Sequence, residues 1–211
     1  MDILSYVKRV QALAQSGLTY CENPYDIERY EELREISFNM LNILSDEPVE
    51  KIRELFQGEK GYQTPKVDVR AVIMQDSKIL LVREKIDNKW SLPGGWCDVG
   101  FSPSDMAKKE VREEAGYEVE VEKLLALLDK ECHGHPKDIY HIYKLFFQCK
   151  IVGGEGLGGM ETSDVKFFGI DELPELSLTR NTVNQVKLMF ELHGSEKETV
   201  FDRSEERRVG K

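Results

Sequence analysis

The stretch from Trp90 to Gly116, WSLPGGWCDVGFSPSDMAKKEVREEAG, constrains this chain more than any other. A Gly-Gly turn leads into a helix whose two ends are both marked. Ser102, Pro103 and Asp105 supply a hydroxyl cap, a proline at the first helical position and an acid in the first turn. Gly116 supplies the stop, because helices commonly end in a left-handed residue that glycine adopts at little cost. At about 100° per residue, Glu110, Glu113 and Glu114 share one narrow stripe, beside an apolar stripe of Ala107, Val111 and Ala115. Asp105, Lys109 and Arg112 fall on the far side. The three carboxylates therefore border the buried face.

Like charges at these spacings repel by roughly 0.2–0.5 kcal/mol per exposed pair. They also sit in the last turn, where the helix dipole disfavours further anions. A divalent cation relieves both conflicts, and oxygen ligands beside a glycine turn suit Mg²⁺ or Mn²⁺ better than zinc. Taken alone, Glu-x-x-Glu-Glu is weak evidence and favours a solvated acidic face. The Gly-Gly turn at a fixed distance upstream separates the two readings.

These residues resemble the Nudix box, a glycine followed by a helix ending in Arg-Glu-apolar-x-Glu-Glu-x-Gly-apolar. Gly95 takes the first position, and Lys109-Glu110-Val111-Arg112-Glu113-Glu114-Ala115-Gly116-Tyr117 takes the second. Trp90 to Gly95 is similar to the strand and turn that lead into that box. Two positions depart from the pattern: Phe101 stands where the family usually has glutamate, and Lys109 where it usually has arginine. The resemblance implies an α+β fold, a Nudix α/β/α sandwich with a mixed β-sheet, preceded here by a small N-terminal helical domain.

The 211 residues suit one large domain, or a standard domain with a smaller appendage. Residues 1–60 read as helices, with Leu4, Val7, Val10, Leu13 and Ala14 at helical spacing. A second helix is expected from Asn23-Pro24 to Leu44, with Tyr30, Leu33, Ile36, Met40 and Leu41 on one face. A third is expected from Glu47 to Phe56 after a Ser-Asp-Glu-Pro start, and Gly58, Gly61 and Pro65 mark a linker. This appendage is too short for a large core of its own. It reads either as a dimerisation element bordering the active site or as a passive packing cap. Its 7 basic against 12 acidic residues, within a net charge of −10, argue against nucleic-acid binding.

From Lys66 the period changes to alternation, Val67, Val69, Ala71 and Ile73, then a hairpin at Asp76-Ser77 into Lys78–Val82. Arg70 and Arg83 project from these strands as candidate phosphate clamps, or as surface arginines. Tyr117 to Leu128 and Tyr140 to Val152 read as long strands. Between them, Cys132-His133-Gly134-His135-Pro136 has no second ligand pair for zinc. It reads as a surface loop, or as a cover over the substrate in which His133 or His135 meets phosphate. Gly153 to Gly159 is a flexible Gly-rich loop lacking a phosphate-loop lysine. A closing helix is expected from Asn181 to Leu192, with Val183, Val186, Met189 and Phe190 inward. The Nudix domain then spans 66–202, and 203–211 reads as a disordered or expression-derived tail. Four cysteines without a CxxC pair, no basic and apolar leader and no membrane-length apolar run place the chain in the cytoplasm.

The resemblance also implies the chemistry: metal-dependent cleavage of a nucleoside diphosphate linked to another group. Glu110, Glu113 and Glu114 then hold the metal, joined by a carbonyl of Gly94 or Gly95; Glu110 and Glu114 are the catalytic pair, with Glu110 polarising the water. Glu161, on the loop before Val165–Phe168, corresponds to a carboxylate that joins the metal or acts as base; its other reading is a solvated loop acid. Arg70, Arg83, Phe101, His133 and His135 are candidate substrate contacts, with Tyr20, Tyr25 and Tyr143 as further base-selecting positions. The box with a helical extension is similar to ADP-ribose and CDP-choline pyrophosphatases, ADP-ribose ranking first. A non-catalytic nucleotide-sugar sensor and an enzyme acting on RNA 5′ ends are the other classes, both disfavoured by the complete set of glutamates and the acidic charge. The expected partners are a small nucleotide substrate and a second copy of the chain.

Overall fold

The computed structural model describes residues 3–45, 47–57 and 61–203. By its contacts the chain divides into two units, Met1–Pro65 with Lys137–His141, and Lys66–Pro136 with Ile142–Lys211.

The first unit holds α1 (Ile3–Tyr20), α2 (Pro24–Ser45) and α3 (Val49–Gln57). Asn23 caps α2, its Oδ1 accepting the Tyr25 N–H at 2.9 Å. The core gathers Leu4, Val7, Phe38, Leu41, Ile52 and Phe56, with the Phe38 and Phe56 rings stacked at 5.7 Å. Tyr140 packs on Phe56 at 5.8 Å, and its carbonyl accepts from Lys8 Nζ at 3.0 Å. Tyr140 and His141 therefore belong to this unit rather than to the strand expected to begin there. The expected apolar faces are also redrawn. Phe38 and Leu41 enter the core, whereas Leu13, Ile36 and Met40 remain exposed with Ile3, Tyr6 and Ile43. The core of a three-helix unit this short reaches only the end of α2 that meets α3. Asp46 and Gly58, used above for a helix start and a linker, lie outside the described residues, as does the tail beyond Arg203.

In the second unit, β1 (Lys66–Gln75) turns through Asp76 and Ser77, both at positive φ, into β2 (Lys78–Glu84). Then come β3 (Trp90–Ser91), α4 (Pro103–Ala115), β4 (Tyr117–Asp129), β5 (Ile142–Gly154), β6 (Thr162–Phe168), α5 (Val183–Leu192) and β7 (Val200–Phe201). The mixed sheet runs β3-β2-β1-β5-β4-β7, with β6 on β2. β1 pairs with β5, and β4 with β7, in parallel. Residues 69, 71 and 73 of β1, with Leu80, Val82 and Phe147, face α4 through Met106, Ala107, Val111 and Ala115. Val72, Ile79, Leu81 and Phe146 face α5 through Val186, Met189 and Leu192. Helices cover both faces, so the alternation that suggests a solvated side on β1 marks a second core instead. Thr182 and Gln185 close a capping box at the start of α5. Its Val183 is exposed, contrary to expectation, because it lies in the first turn, ahead of the inward positions Val186 and Met189.

On the α5 side of β1 lies a buried ionic group. Asp68 and Lys144 are register partners across β1 and β5, and Lys144 Nζ lies 2.7 Å from Asp68 Oδ1. Arg70 grips the same carboxylate bidentately, at 2.9 and 2.6 Å. Burial alone would raise the Asp68 carboxyl; the charges and hydrogen bonds of Arg70 and Lys144 overcome it and hold the value at about 2. Burial lowers Lys144 to about 8, with Asp68 opposing and the neighbouring Arg70 charge adding to the fall.

Asp68→Asn leaves two buried cations without their anion and should destabilise the domain by about 3–5 kcal/mol. Because the folded Asp68 value of about 2 lies below the ordinary 3.8, its stabilisation is present above the ordinary value and is lost as pH falls through the folded one. Denaturant melts between pH 5 and pH 2 should show an acid slope that the Asn variant reduces.

Candidate active site

Helix α4 is delimited as its sequence dictates. Ser102 Oγ accepts the Asp105 N–H at 3.2 Å, Pro103 is the first residue, and Gly116 takes a φ of 70° past the end. Seated by Met106, Ala107, Val111 and Ala115, the helix turns Glu114 fully inward, leaves Glu110 half-buried and exposes Glu113.

Facing Glu114 is the glycine turn. Pro93 to Cys97 runs along the first half of β1, where the N–H groups of Ala71 and Val69 donate to Pro93 O and Gly95 O at 2.8 and 2.9 Å, and Cys97 N–H donates to Val67 O. Gly94 has a φ of 145°, and a Cβ there would lie 2.0 Å from Val69 O, so no other residue fits. Its N–H donates to Glu114 Oε2 at 2.8 Å. Leu92, two residues earlier, is fixed from both sides: its N–H donates to Asn181 Oδ1 at 2.8 Å, and its carbonyl accepts from Arg70 Nη1 at 3.1 Å.

Burial pushes the Glu114 carboxyl up to about 8; Arg70 and the Gly94 N–H oppose this, and Glu84 and Glu110 reinforce it. Glu110 is also raised by burial, with Lys109 and Arg70 opposing and Glu113 and Glu161 adding. A Cβ on Gly95 would lie 3.1 Å from Glu110 Oε1, so the turn and this carboxylate face each other across a gap that any side chain would fill. Crowded carboxylates beside a bare peptide turn fit a hard divalent cation. Among the described residues, no three acidic, histidine or cysteine side chains converge at ligand distance as they stand. Glu113 is turned to Lys109 at 3.2 Å, and Lys109 also reaches Asp98 at 3.6 Å, so Lys109 lies on the carboxylate edge and not on the far side.

The glycine-rich loop after β5, expected as a flexible loop, is tied to the end of α4. The N–H groups of Glu155 and Leu157 donate to Gly116 O and Ala115 O at 3.2 and 3.1 Å, and Thr162 Oγ1 donates to Glu114 O. A Cβ on Gly159 would sit 1.7 Å from Glu113 O. The loop thus satisfies the orphan carbonyls at the end of α4. It also brings Glu161 to the site: this exposed residue precedes Thr162, its carbonyl accepts the Lys85 N–H at 2.9 Å, and its charge acts on Glu110.

The expected substrate contacts fare differently. Arg70 is buried and committed to Asp68 and Leu92, because α5 and its preceding loop cover its face of the sheet; it is not a phosphate clamp. Arg83 Nε points to Asn88 O at 3.3 Å. His133 Nε2 lies 2.9 Å from Asp202 Oδ1, and Asp202 also accepts the Asp129 N–H, so this histidine helps tie the residue after β7 to the end of β4. His135 Nδ1 donates to Leu178 O at 2.7 Å. Burial lowers its pKa to about 4 against that hydrogen bond, leaving a neutral ring that brings no charge to a phosphate. Phe101, like Tyr20 and Tyr25, is exposed, and Tyr143 lies on β5.

Residues the sequence did not single out complete the site. Glu84, at the end of β2 and fully buried, accepts from Ser91 Oγ at 2.6 Å and forms an ion pair with Arg180, whose Nε lies 2.7 Å from Oε1. Asn181 and Thr162 fix the turn and the helix end. Asp68 beside Arg70, two residues apart on one strand face, was the one signal available, an opposite-charge pair at strand spacing.

Comparison with known proteins identifies the family. A profile described as NUDIX domain matches residues 64–191, and one described as UDP-X-like, N-terminal oligomerisation domain matches residues 1–56. The chain belongs to the Nudix hydrolase family. It is 47% identical over 200 residues, 94% of this chain and 96% of the relative, to the Bacillus subtilis protein named "Putative ADP-ribose pyrophosphatase YjhB". The crystal structure of an ADP-ribose pyrophosphatase from Streptococcus suis is 48% identical, with a TM-score of 0.61, over 66% of this chain and all of that one. The crystal structure of a UDP-X diphosphatase is 38% identical, with a TM-score of 0.63, over 95% and 98% of the two chains. This Nudix pyrophosphatase has, among its described residues, no helix long and apolar enough to cross a membrane.

Gly159→Ala forces a methyl group into the Glu113 carbonyl and should cost about 1–3 kcal/mol. Activity should fall with it, because the helix end carrying the glutamates must move. Gly153→Ala is the control, since its Cβ meets only the flexible end of Glu118 at 3.1 Å. Equal thermal unfolding temperatures for the two variants would contradict the capping role.

Proposed function

We propose that this Nudix pyrophosphatase hydrolyses ADP-ribose to AMP and ribose 5-phosphate with Mg²⁺ or Mn²⁺. The relatives named for that activity support the substrate. Nudix hydrolases generally use a divalent metal. The observation that carries the reading is the buried Glu114, held by the Gly94 N–H among other carboxylates, a charge arrangement that suits a cation and little else. Glu110, Glu113 and Glu114 would hold the metal, with a carbonyl of Gly94 or Gly95 as a further oxygen. The metal supplies neutralisation of the pyrophosphate and acidification of water. The Gly94 N–H keeps Glu114 oriented while the charge in the site changes. Glu161, exposed beside Glu110, accepts the proton of the attacking water.

One alternative substrate has a specific observation behind it. The amino-terminal profile is UDP-X-like, and a solved relative covering 95% of the chain is a UDP-X diphosphatase, which favours a UDP-linked substrate as the second reading. Assays with ADP-ribose, a UDP-sugar and CDP-choline, with and without Mg²⁺, should release AMP fastest and only with metal. Faster cleavage of the UDP-sugar would transfer the assignment, and tight binding without any turnover would favour a sensor. Glu114→Gln should lower kcat by roughly 10²–10³-fold while the protein stays folded. Undiminished turnover in that variant would remove Glu114 from the reaction.

We further propose a cytoplasmic homodimer, its cysteines reduced, formed through the amino-terminal helices. The exposed Ile3, Tyr6 and Leu13 of α1 and Ile36, Met40 and Ile43 of α2 are the apolar surface such a contact needs. Light scattering should report a dimer that Ile43→Glu dissociates. A dimer of unchanged stability in that variant would move the interface elsewhere.

A further inference from the structure

Arg70 and Arg83 drew attention as phosphate clamps, and Arg70 is committed within the core. A different cation reaches the site. Arg180, in the loop before α5, places Nε 2.7 Å from Glu84 Oε1 and Nη1 3.3 Å from Ser177 Oγ. Glu84 is fully buried, pairs in register with Thr162 across β2 and β6, and is among the charges acting on both Glu114 and Arg70. Thr162 in turn donates to Glu114 O and follows Glu161 in sequence. Arg180 therefore stands one side chain away from the glutamate site, and a quarter of its side chain is exposed.

The other cations near the site have partners that turn them elsewhere. Lys85 Nζ holds Gly159 O and Met160 O, Lys109 holds Glu113 and Asp98, and Lys166 holds Asp164. Among the described residues Nη2 of Arg180 makes no hydrogen bond, and Asp87, which accepts from Ser177 Oγ, is the other carboxylate whose charge meets this guanidinium. A guanidinium held at Nε by a buried carboxylate and at Nη1 by Ser177 keeps the rest of its donor fork for a second anion. That fork matches a phosphate, and its fixed position reduces the ordering that binding would otherwise require.

We propose that Arg180 binds the substrate's pyrophosphate, with Glu84 as the residue that positions it. The proposal rests on the pyrophosphatase reading and specifies which side chain of the chain meets the anion. Arg180→Gln and Arg180→Lys are compared with the wild type by calorimetry with inorganic pyrophosphate and Mg²⁺, and by KM and kcat on ADP-ribose. The Gln variant should raise the pyrophosphate Kd and the KM about tenfold or more, with Lys between, while kcat changes less. Arg180→Gln alone leaves Glu84 unpaired, so Glu84→Gln/Arg180→Gln serves as the second variant. It should recover thermal stability without recovering pyrophosphate affinity. If this stable double variant binds pyrophosphate as the wild type does, Arg180 merely neutralises Glu84 and the proposal falls. Failure of the wild type to bind pyrophosphate overturns it too. Absence of ADP-ribose turnover would sink only the substrate assignment, since the pyrophosphate measurement still decides the role of Arg180.

Discussion

The hydrogen bond from Gly94 N–H to Glu114 joins the three parts of the site, and it exists only because Gly94 has no side chain. The turn lies flat against β1, close enough that a methyl group would overlap Val69 O. That contact fixes how far the turn stands from α4, which is itself seated on the same sheet through Val111 and Ala115. The strand, the turn and the helix thus have one mutual position, and the glutamates inherit it. A larger residue at position 94 would push the turn off β1 and withdraw the donor from a buried carboxyl that already holds its proton at about 8.

Beneath this contact the charges are layered. Asp68, Arg70 and Lys144 form a buried group on the α5 side of β1, and Arg70 extends from it to the Leu92 carbonyl. Arg70 is thereby one of the positive charges acting on Glu114 and Glu110, opposing the burial that raises both. Its role is structural and electrostatic together: it steadies the strand before the turn and offsets part of the like-charge crowding. A lysine would supply the charge but not the bidentate grip on Asp68 with a third bond to Leu92.

Much of this was legible in the sequence because local rules sufficed. The cap, proline and left-handed glycine of α4 depend on neighbours a few residues away, as does the turn at Asp76-Ser77. The three glutamates share a stripe on any helix, but only the seated helix shows that Glu114 is buried and Glu113 points out to Lys109. What could not be read were contacts made across long stretches of chain. Arg70 looks like a surface arginine until α5 covers its face, and His133 and His135 look like substrate ligands until Asp202 and Leu178 O meet them. Tyr140 carries strand propensity, yet the Phe56 ring and Lys8 hold it in the other unit.

The glycine-rich loop shows how a helix can tolerate acids at its negative end. The last turn of α4 carries Glu113 and Glu114 where exposed carbonyls would add to their repulsion. Here the carbonyls of Glu114, Ala115 and Gly116 each accept a hydrogen bond, from Thr162, Leu157 and Glu155. Satisfying them reduces the partial negative charge that the carboxylates face, and only a chain with glycine at 159 can approach the Glu113 carbonyl closely enough to do so. The same loop ends at Glu161, so the segment that quiets the helix dipole also delivers a fourth carboxylate to Glu110. Capping of the helix and assembly of the site are one structural event, and a change that loosens the loop must alter both.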